Sequence, residues 1–379
     1  MKIPFNRVDL QGNELKYIEN AIKKGHLSGD GEFTQKCNQL LEKSLSVKKV
    51  LITTSCTHAL EMASILLDIR PGDEVIVPSF TFVSTINAFA ISGAKPVFID
   101  IRSDTLNMDE TKIKNLITKN TKAIIPVHYA GVACEMNLIM KVARNYNIPV
   151  IEDNAHGLFG KYNKKYLGTF GTFATQSFHE TKNFSCGEGG ALIINDEKFI
   201  ERAEIIREKG TNRSKFFRGQ VDKYTWVDYG SSYLPSDMLS AFLFAQLEQR
   251  KIIQLKRKKI WGLYYQSLGE WAGENNIRLP IIPTHCDQSY HMFYLIMPSL
   301  KNRQNLINHL NTNDIKSVFH YTPLHDSYMG RKFGYENKDF PITTNISDVL
   351  IRLPFYTDIS TKELNKVINN VKTFKVSPV

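Results

Sequence analysis

The chain has 379 residues, 42% of them hydrophobic, and a formal net charge of +10 from 48 basic and 38 acidic side chains. That length exceeds what one simple core usually accommodates, so a large domain with a smaller one is expected. The five cysteines Cys37, Cys56, Cys134, Cys186 and Cys286 form no CxxC and no regular spacing, which argues against a disulfide framework and a zinc site.

The basic excess suits an anionic substrate, a nucleic acid or a membrane surface, and alone decides little. Its densest cluster, KIIQLKRKKIWGLYY from Lys251, carries apolar residues at helical spacing, the pattern of a solvated helix face rather than of a nucleic-acid patch. The opening MKIPFNRVDLQG has no signal-like apolar stretch, and no run approaches the roughly 18 apolar residues of a membrane span. A cytoplasmic protein in a reducing compartment is expected, with neither membrane nor nucleic acid as partner.

In chain order, ELKYIENAI reads as an amphipathic helix. The glycine-punctuated KGHLSGDGEF after it is either a loop covering a site or an ordinary surface connection. From about residue 47 to 200, short apolar or β-branched runs alternate with helical patterns. VLITT precedes the helix-like THALEMASILLD, and EVIVPSF precedes a short helix near Val83. PVFIDI, AIIPVHY and PVIEDN follow, separated by amphipathic segments such as MNLIMKVARNYN, and ATQSF and GGALIIN read as core strands. This is the order of a largely parallel α/β sheet. Ser236 to about Leu268 reads as one long helical segment or two joined ones, interrupted in its apolar periodicity only at Gly262. YHMFYLIM, SVFHY and TKELNKVINNVKTF then suggest a smaller α+β unit. The expected division is 1–249 for the large domain, with its N-terminal helix and loop, and 250–379 for the small one.

Three local features carry chemistry. Glu152 and Asp153 end the strand PVIEDN, where open parallel sheets bind ligands. Asp153 either caps a following helix or holds a positive charge on a ligand, as the pyridine nitrogen of pyridoxal phosphate requires. In TTSCTHALEM, Ser55, Cys56 and Thr57 lie between strand and helix, where free amides and hydroxyls either accept a phosphate or make a plain N-cap. Cys56 reads as a small buried thiol rather than a nucleophile. Finally, Lys182 in SFHETKNFSCGEGGALI sits between two apolar runs. A buried ammonium is costly, and the neutral amine favoured there is the nucleophile that forms a Schiff base with an aldehyde. Gly187, Gly189 and Gly190 would let backbone pass close to a flat cofactor.

TSCTHALEMA, PGDEVIVPSFTFVST, GAKPVFIDI, TKAIIPVHYAGVACEM, VIEDNAHG, LGTFGTFATQSFHETKNFSCGEGGAL and GSSYLPSD together resemble the DegT/DnrJ/EryC1/StrS family of nucleotide-sugar aminotransferases, over nearly the whole chain. GHLSGDGEFT, EKGTNRSKFFRGQVDKYTWVDYGSSYL and VFHYTPLH are similar to the branch that makes dTDP-4-amino-4,6-dideoxygalactose for the enterobacterial common antigen. The resemblance implies an α/β fold-type I pyridoxal phosphate architecture and a homodimer with shared active sites. It also implies transamination of dTDP-4-keto-6-deoxy-D-glucose with L-glutamate, through a pyridoxamine 5′-phosphate form in the second half-reaction.

Residue by residue, Lys182 matches the lysine that anchors pyridoxal 5′-phosphate and Asp153 the partner of its ring nitrogen. His156 matches a side chain lying against the cofactor near its 3-hydroxyl, and Phe82 the aromatic stacked on the ring. Cys56 and Thr57 match a phosphate-binding pair that is usually Gly-Thr, and Ser177 a further phosphate contact. Ser232 stands where many relatives carry an asparagine reaching the neighbouring subunit's cofactor phosphate. His320, Tyr321 and His325 in VFHYTPLH are candidates to face the sugar. Basic residues near the entrance could steer the diphosphate, with the GHLSGDG loop and the second subunit's KGTNRSKFFRGQ segment as walls. Lysine rather than histidine at 182 separates the chain from a dehydratase branch. Three rival readings remain: amination of a 3-keto isomer at C3, a non-catalytic regulator that keeps the fold, and a nucleic-acid binder suggested by charge alone.

Overall fold

The computed structural model describes residues 2–336 and 339–378. The apolar runs form the strands β1 (Lys49–Thr53), β2 (Glu74–Pro78), β3 (Lys95–Ile99), β4 (Thr121–Ile124) and β5 (Ile151–Asp153). A small hairpin follows, β6 (Lys161–Tyr162) and β7 (Lys165–Tyr166), and then β8 (Phe173–Ser177) and β9 (Gly190–Ile194). Hydrogen bonding gives two strips, β3-β2-β4 and β5-β8-β9-β1, joined by parallel bridges from Ile124 to Val150 and from Val127 to Asp153.

Pairing is parallel throughout this sheet except at β9, which runs antiparallel to both β1 and β8. No helix lies between β8 and β9 to carry the chain back across the sheet, so β9 returns in the opposite direction. The β8–β9 connection carries Lys182.

Both faces of the sheet are covered, which is why its strands are apolar without alternation. Successive side chains of β2 point to opposite faces. Val75 and Val77 pack with Leu60, Met62 and Phe89, while Ile76 packs with Ile124, Ile139 and Ala143 on the other side. Each such residue contributes about 1.5–3 kcal/mol relative to exposure.

The helices α1 (Glu14–Lys24), α2 (Glu32–Leu45), α3 (Cys56–Leu66) and α4 (Ser84–Ala90) lie around this sheet. α3 starts where the Ser55 hydroxyl accepts the His58 amide. α2 was not expected beyond the glycine-rich loop, although Phe33, Cys37, Leu41 and Leu45 recur every four residues and are all buried. Its N-cap, Gly31, has no side chain to offer. Asp237 replaces it from across the fold, accepting the Phe33 amide at 3.2 Å and the Thr34 amide at 2.8 Å.

The long segment expected from Ser236 is two helices, Asp237–Glu248 and Arg250–Glu274, and Gly262 lies inside the second without breaking it. After β10 (Cys286–Asp287), which pairs with β6, the strands β11 (Tyr294–Ile296), β12 (Val318–Phe319) and β13 (Leu350–Arg352) make an antiparallel sheet of order β11-β13-β12. Its core joins Tyr264, Leu268, Phe293, Leu306, Leu310, Val367 and Val371. The helix Thr361–Lys372 enters it through a capping box of Ser360 and Glu363.

Ile3 is fully buried in that second core, and its amide donates to the Asp314 carbonyl at 2.8 Å. The first residues, placed on the large-domain side of the expected boundary, therefore pack with the C-terminal part. A further cluster of Phe80, Tyr129, Met292, Tyr294 and Leu350 joins the small sheet to the ends of the large one. No helix among the described residues is long and apolar enough to cross a membrane, and all five cysteines are free.

Candidate active site

A cavity of about 780 Å³ opens at the carboxyl ends of the large sheet, against β12 and β13. β5 ends there on two carboxylates that point to opposite faces. Glu152 turns into the protein and is fully buried, accepting the amides of Gly168 (2.8 Å), Phe170 (2.7 Å) and Gly171 (2.9 Å) and facing His128 Nε2 at 3.0 Å. It pins the loop before β8. Asp153 lines the cavity. Its carboxylate accepts Thr85 Oγ1 of α4 at 2.8 Å and the Ala155 amide at 3.2 Å. Burial raises the Asp153 pKa, and these two hydrogen bonds together with Lys182 oppose the rise.

Lys182 stands in the turn between β8 and β9, where its amide donates to the His179 carbonyl at 2.9 Å. Its residue borders the cavity and keeps some accessible surface, while its amine is deep enough that desolvation brings the pKa down to about 8. Cys56 and Asp153 oppose that fall and Arg352 adds to it.

α3 points its N-terminus at the same space, with Ser55, Cys56 and Thr57 in the wall. The first amides of a helix have no partner within it and favour an anion. Thr57 Oγ1 donates to Ser84 Oγ at 2.8 Å, tying α3 to α4. Burial pushes the Cys56 thiol up to about 12, as befits an inert packing group. Gly190 also has a packing use. A Cβ there would stand 2.3 Å from Ser55 C and 2.4 Å from Cys56 N, so only glycine lets β9 meet the start of α3.

Ser177, Phe82, His156, His320 and Tyr321 all line the cavity. Phe82 is 58% exposed at its edge, 6.4 Å ring to ring from Tyr321. His156 is buried and its Nδ1 has no hydrogen-bond partner. His320 Nδ1 faces the Tyr129 hydroxyl at 3.0 Å.

Two expected residues are not brought to the cavity. His325 is held by Ser79 Oγ at 2.7 Å through Nδ1 and packs on Phe340, so it anchors its loop instead. Ser232 is exposed and bridges to Glu208, outside the cavity of its own chain.

Three residues that the sequence reading passed over belong to the site. Thr85 supports Asp153. His291 stacks on His156 at 4.3 Å and 16°. Arg352 of β13 lines the cavity wall. His291 and Arg352 are polar residues inside the apolar runs YHMFYLIM and LIRLPFY, a pattern visible in the sequence. Burial lowers the pKa of His156, His291 and His320 well below the usual imidazole range, so all three are neutral at pH 7.

An anion cradle, a buried carboxylate and a low-pKa amine thus share one chamber, and residues 8–372 match the DegT/DnrJ/EryC1/StrS aminotransferase family. The chain belongs to that family. It is 35% identical over 377 residues to the uncharacterized protein MJ1066 of Methanocaldococcus jannaschii, covering 98% of this chain and 97% of that one. With the spore coat polysaccharide biosynthesis protein SpsC of Bacillus subtilis it shares 29% over 378 residues, 98% and 96% of the two chains. Among solved structures, Spr1654 of Streptococcus pneumoniae in its PMP form superposes with a TM-score of 0.90 at 26% identity, over 98% of this chain and 97% of that one. Spr1654 has also been solved in its PLP form.

This member of the DegT/DnrJ/EryC1/StrS family is a pyridoxal phosphate-dependent sugar aminotransferase of fold type I. The residues present fit that cofactor. The start of α3 suits its phosphate, and Asp153 suits its ring nitrogen. The unpartnered Nδ1 of His156 suits a ring hydroxyl, and the Lys182 amine suits its aldehyde.

Proposed function

We propose that the enzyme transfers the amino group of L-glutamate to C4 of dTDP-4-keto-6-deoxy-D-glucose, giving dTDP-4-amino-4,6-dideoxy-D-galactose and 2-oxoglutarate. The observation that carries the chemistry is the Lys182 amine, with its pKa near 8, in one buried chamber with the Asp153 carboxylate. The sugar assignment rests on the resemblance of GHLSGDGEFT and VFHYTPLH.

Bound pyridoxal phosphate supplies an electron sink and an aldehyde that receives the amino group from one substrate and passes it to the next. Asp153 holds the proton on the ring nitrogen, supported by Thr85. The amides at the start of α3, with Thr57 and Ser177, hold the phosphate. Phe82 would lie against the ring, and His156 Nδ1 would meet the ring hydroxyl. Lys182 would hold the aldehyde. Its Nζ would take the proton from the α-carbon of the donor and deliver one to C4 of the sugar, a role that suits an amine whose pKa burial brings down to about 8. His320 and Tyr321 face the sugar.

A homodimer with shared sites is part of this reading. Phe217, Trp226 and Tyr229 are large exposed side chains in one segment, and Ser232 follows them in that segment. Large exposed apolar side chains of this kind fit coverage by a second copy.

The test is to incubate purified protein with L-glutamate and either the 4-keto or the 3-keto dTDP sugar and to locate the new amine by NMR. Amination at C4 alone is expected. Amination only at C3 overturns the position. A Lys182→Ala protein that keeps its visible absorbance and turnover overturns the anchor.

A further inference from the structure

Arg257, in the helix Arg250–Glu274, is a buried cation outside the chamber wall. It belongs to no ion pair among the described residues, and burial pulls its pKa below the ordinary guanidinium range with no acidic neighbour opposing the fall. Such a group is costly unless its N–H groups are put to use. Here they are spent on backbone. Nε donates to the Tyr290 carbonyl at 3.0 Å and Nη2 to the His291 carbonyl at 2.6 Å, while Nη1 reaches Thr357 Oγ1 at 3.3 Å. The planar fork thus grips two successive peptide units at once, which a single ammonium cannot do. No other hydrogen bond reaches either carbonyl among the described residues.

The gripped stretch needs holding. Tyr290 has φ +54°, left-handed backbone that a bulky residue adopts only where its surroundings enforce it. On either side of Tyr290 stands a residue tied to the chamber. The Ser289 hydroxyl donates to the His156 carbonyl, and the Ser289 carbonyl accepts Asn183 Nδ2 at 2.7 Å. His291 stacks on His156, and its Nδ1 faces Asn183 Oδ1 at 2.9 Å. Asn183 directly follows Lys182 in the chain. A shift of the two gripped carbonyls is therefore carried to both His156 and the lysine turn. The alternative role for Arg257 is a tie between its helix and the C-terminal part, through Thr357 and the Phe355 ring at 4.7 Å, that leaves the chamber untouched.

We propose that Arg257 is a positioning residue for amino transfer, which fixes His156 and the Lys182 turn from outside the chamber by gripping the Tyr290 and His291 carbonyls. This rests on the transamination reading above, in which Lys182 moves the proton.

The test compares full-length wild type, R257Q and R257K. Without added cofactor, hydrogen exchange read by mass spectrometry should be about 10-fold faster in R257Q for peptides covering residues 178–190 and 288–292, with the strands β2, β3 and β4 unchanged. In the holoenzyme, with the two half-reactions followed separately by stopped-flow absorbance, the rate at saturation should fall about 10- to 100-fold in both, the scale of a misplacement near 1 Å. KM for L-glutamate and for the keto sugar should stay within about threefold of wild type, because no substrate contact is removed. R257K, which keeps the charge and serves one carbonyl at a time, should fall between the two, and it carries the same test if R257Q does not fold. The proposal is overturned by faster exchange confined to the helix Arg250–Glu274 and residues 355–357, by unchanged rates in the folded variant, or by a rise in KM without a fall in rate. If wild type transfers no amino group to any keto sugar, the functional reading itself fails, and the exchange pattern still decides whether Arg257 fixes the lysine turn.

Discussion

Thr85 Oγ1 donates to Asp153 Oδ2 at 2.8 Å, and Thr81 Oγ1 lies 2.8 Å from the same Thr85 oxygen. Two hydroxyls, one from α4 and one from the turn before it, thus stand behind the carboxylate at the end of β5. A carboxylate that burial pushes toward its neutral form needs such donors to stay ionised beside a cationic ring nitrogen. Thr85→Val keeps the shape and removes the donor. We expect kcat to fall about 10- to 100-fold, as for loss of a hydrogen bond to a charged group, with Thr85→Ser restoring most of it. Equal kcat in T85V and wild type would mean that Asp153 does not depend on Thr85.

The Lys182 amine makes a pH prediction of definite sign. Its folded pKa of about 8 lies below the ordinary 10.5, so between these values the folded protein binds fewer protons than the unfolded chain. Stability of the cofactor-free protein therefore rises with pH across that window, and the full cost of the buried ammonium is present below it. Lys182→Met should melt higher than wild type at pH 7, the difference closing between pH 8 and 10.5. Labelling of Lys182 by an amine-reactive reagent, followed by mass spectrometry, should show a midpoint near pH 8. A constant melting difference at every pH would refute the assignment.

Asp153 and Lys182 stood out in the sequence, one at the end of an apolar run and the other between two such runs, and the structure brings both to one cavity. The strands were legible for a related reason: burial on both faces leaves unbroken apolar stretches such as EVIVP and GALII. What escaped was set at long range. The break at Gln249 carries no proline or glycine, and α2 begins on a cap from Asp237, some 200 residues away. Arg352 reaches the chamber only because β13 packs against the large sheet, and His325 in the same VFHYTPLH stretch as His320 turns away to Ser79. The antiparallel course of β9 depends on the helix-free connection before it, which an apolar pattern alone does not reveal.

Glu152 is the structural counterpart of Asp153, and the two should respond differently to mutation. Three backbone amides and a histidine converge on its carboxylate. Glu152→Gln turns one acceptor oxygen into a donor facing other donors. We expect a loss of about 3 kcal/mol, read as a lower urea midpoint with an unchanged slope. Asp153→Asn should instead leave the midpoint of the cofactor-free protein the same or higher, since it removes a buried charge, while abolishing turnover. If E152Q were as stable as wild type, the loop from Gly168 to Gly171 would be held by something else.

His291 supports the site from beneath His156. Its ring is stacked there at 4.3 Å, its Nδ1 faces Asn183 Oδ1 at 2.9 Å, and Arg257 Nη2 donates to its carbonyl at 2.6 Å. Asn183 follows Lys182 and donates through Nδ2 to the Ser289 carbonyl at 2.7 Å, so one set of contacts fixes both the stacked imidazoles and the lysine turn. His291→Phe keeps a flat ring and loses only the Asn183 contact, whereas His291→Ala removes the ring and leaves His156 room to shift. H291F should keep kcat within about tenfold, while H291A should lose about 100-fold, the scale of a misplacement near 1 Å at a reacting centre. Burial keeps both imidazoles neutral at pH 7, so neither variant should move a limb of the kcat profile that arises from Lys182. If H291F and H291A lost kcat equally, the stacking would have no part in holding His156.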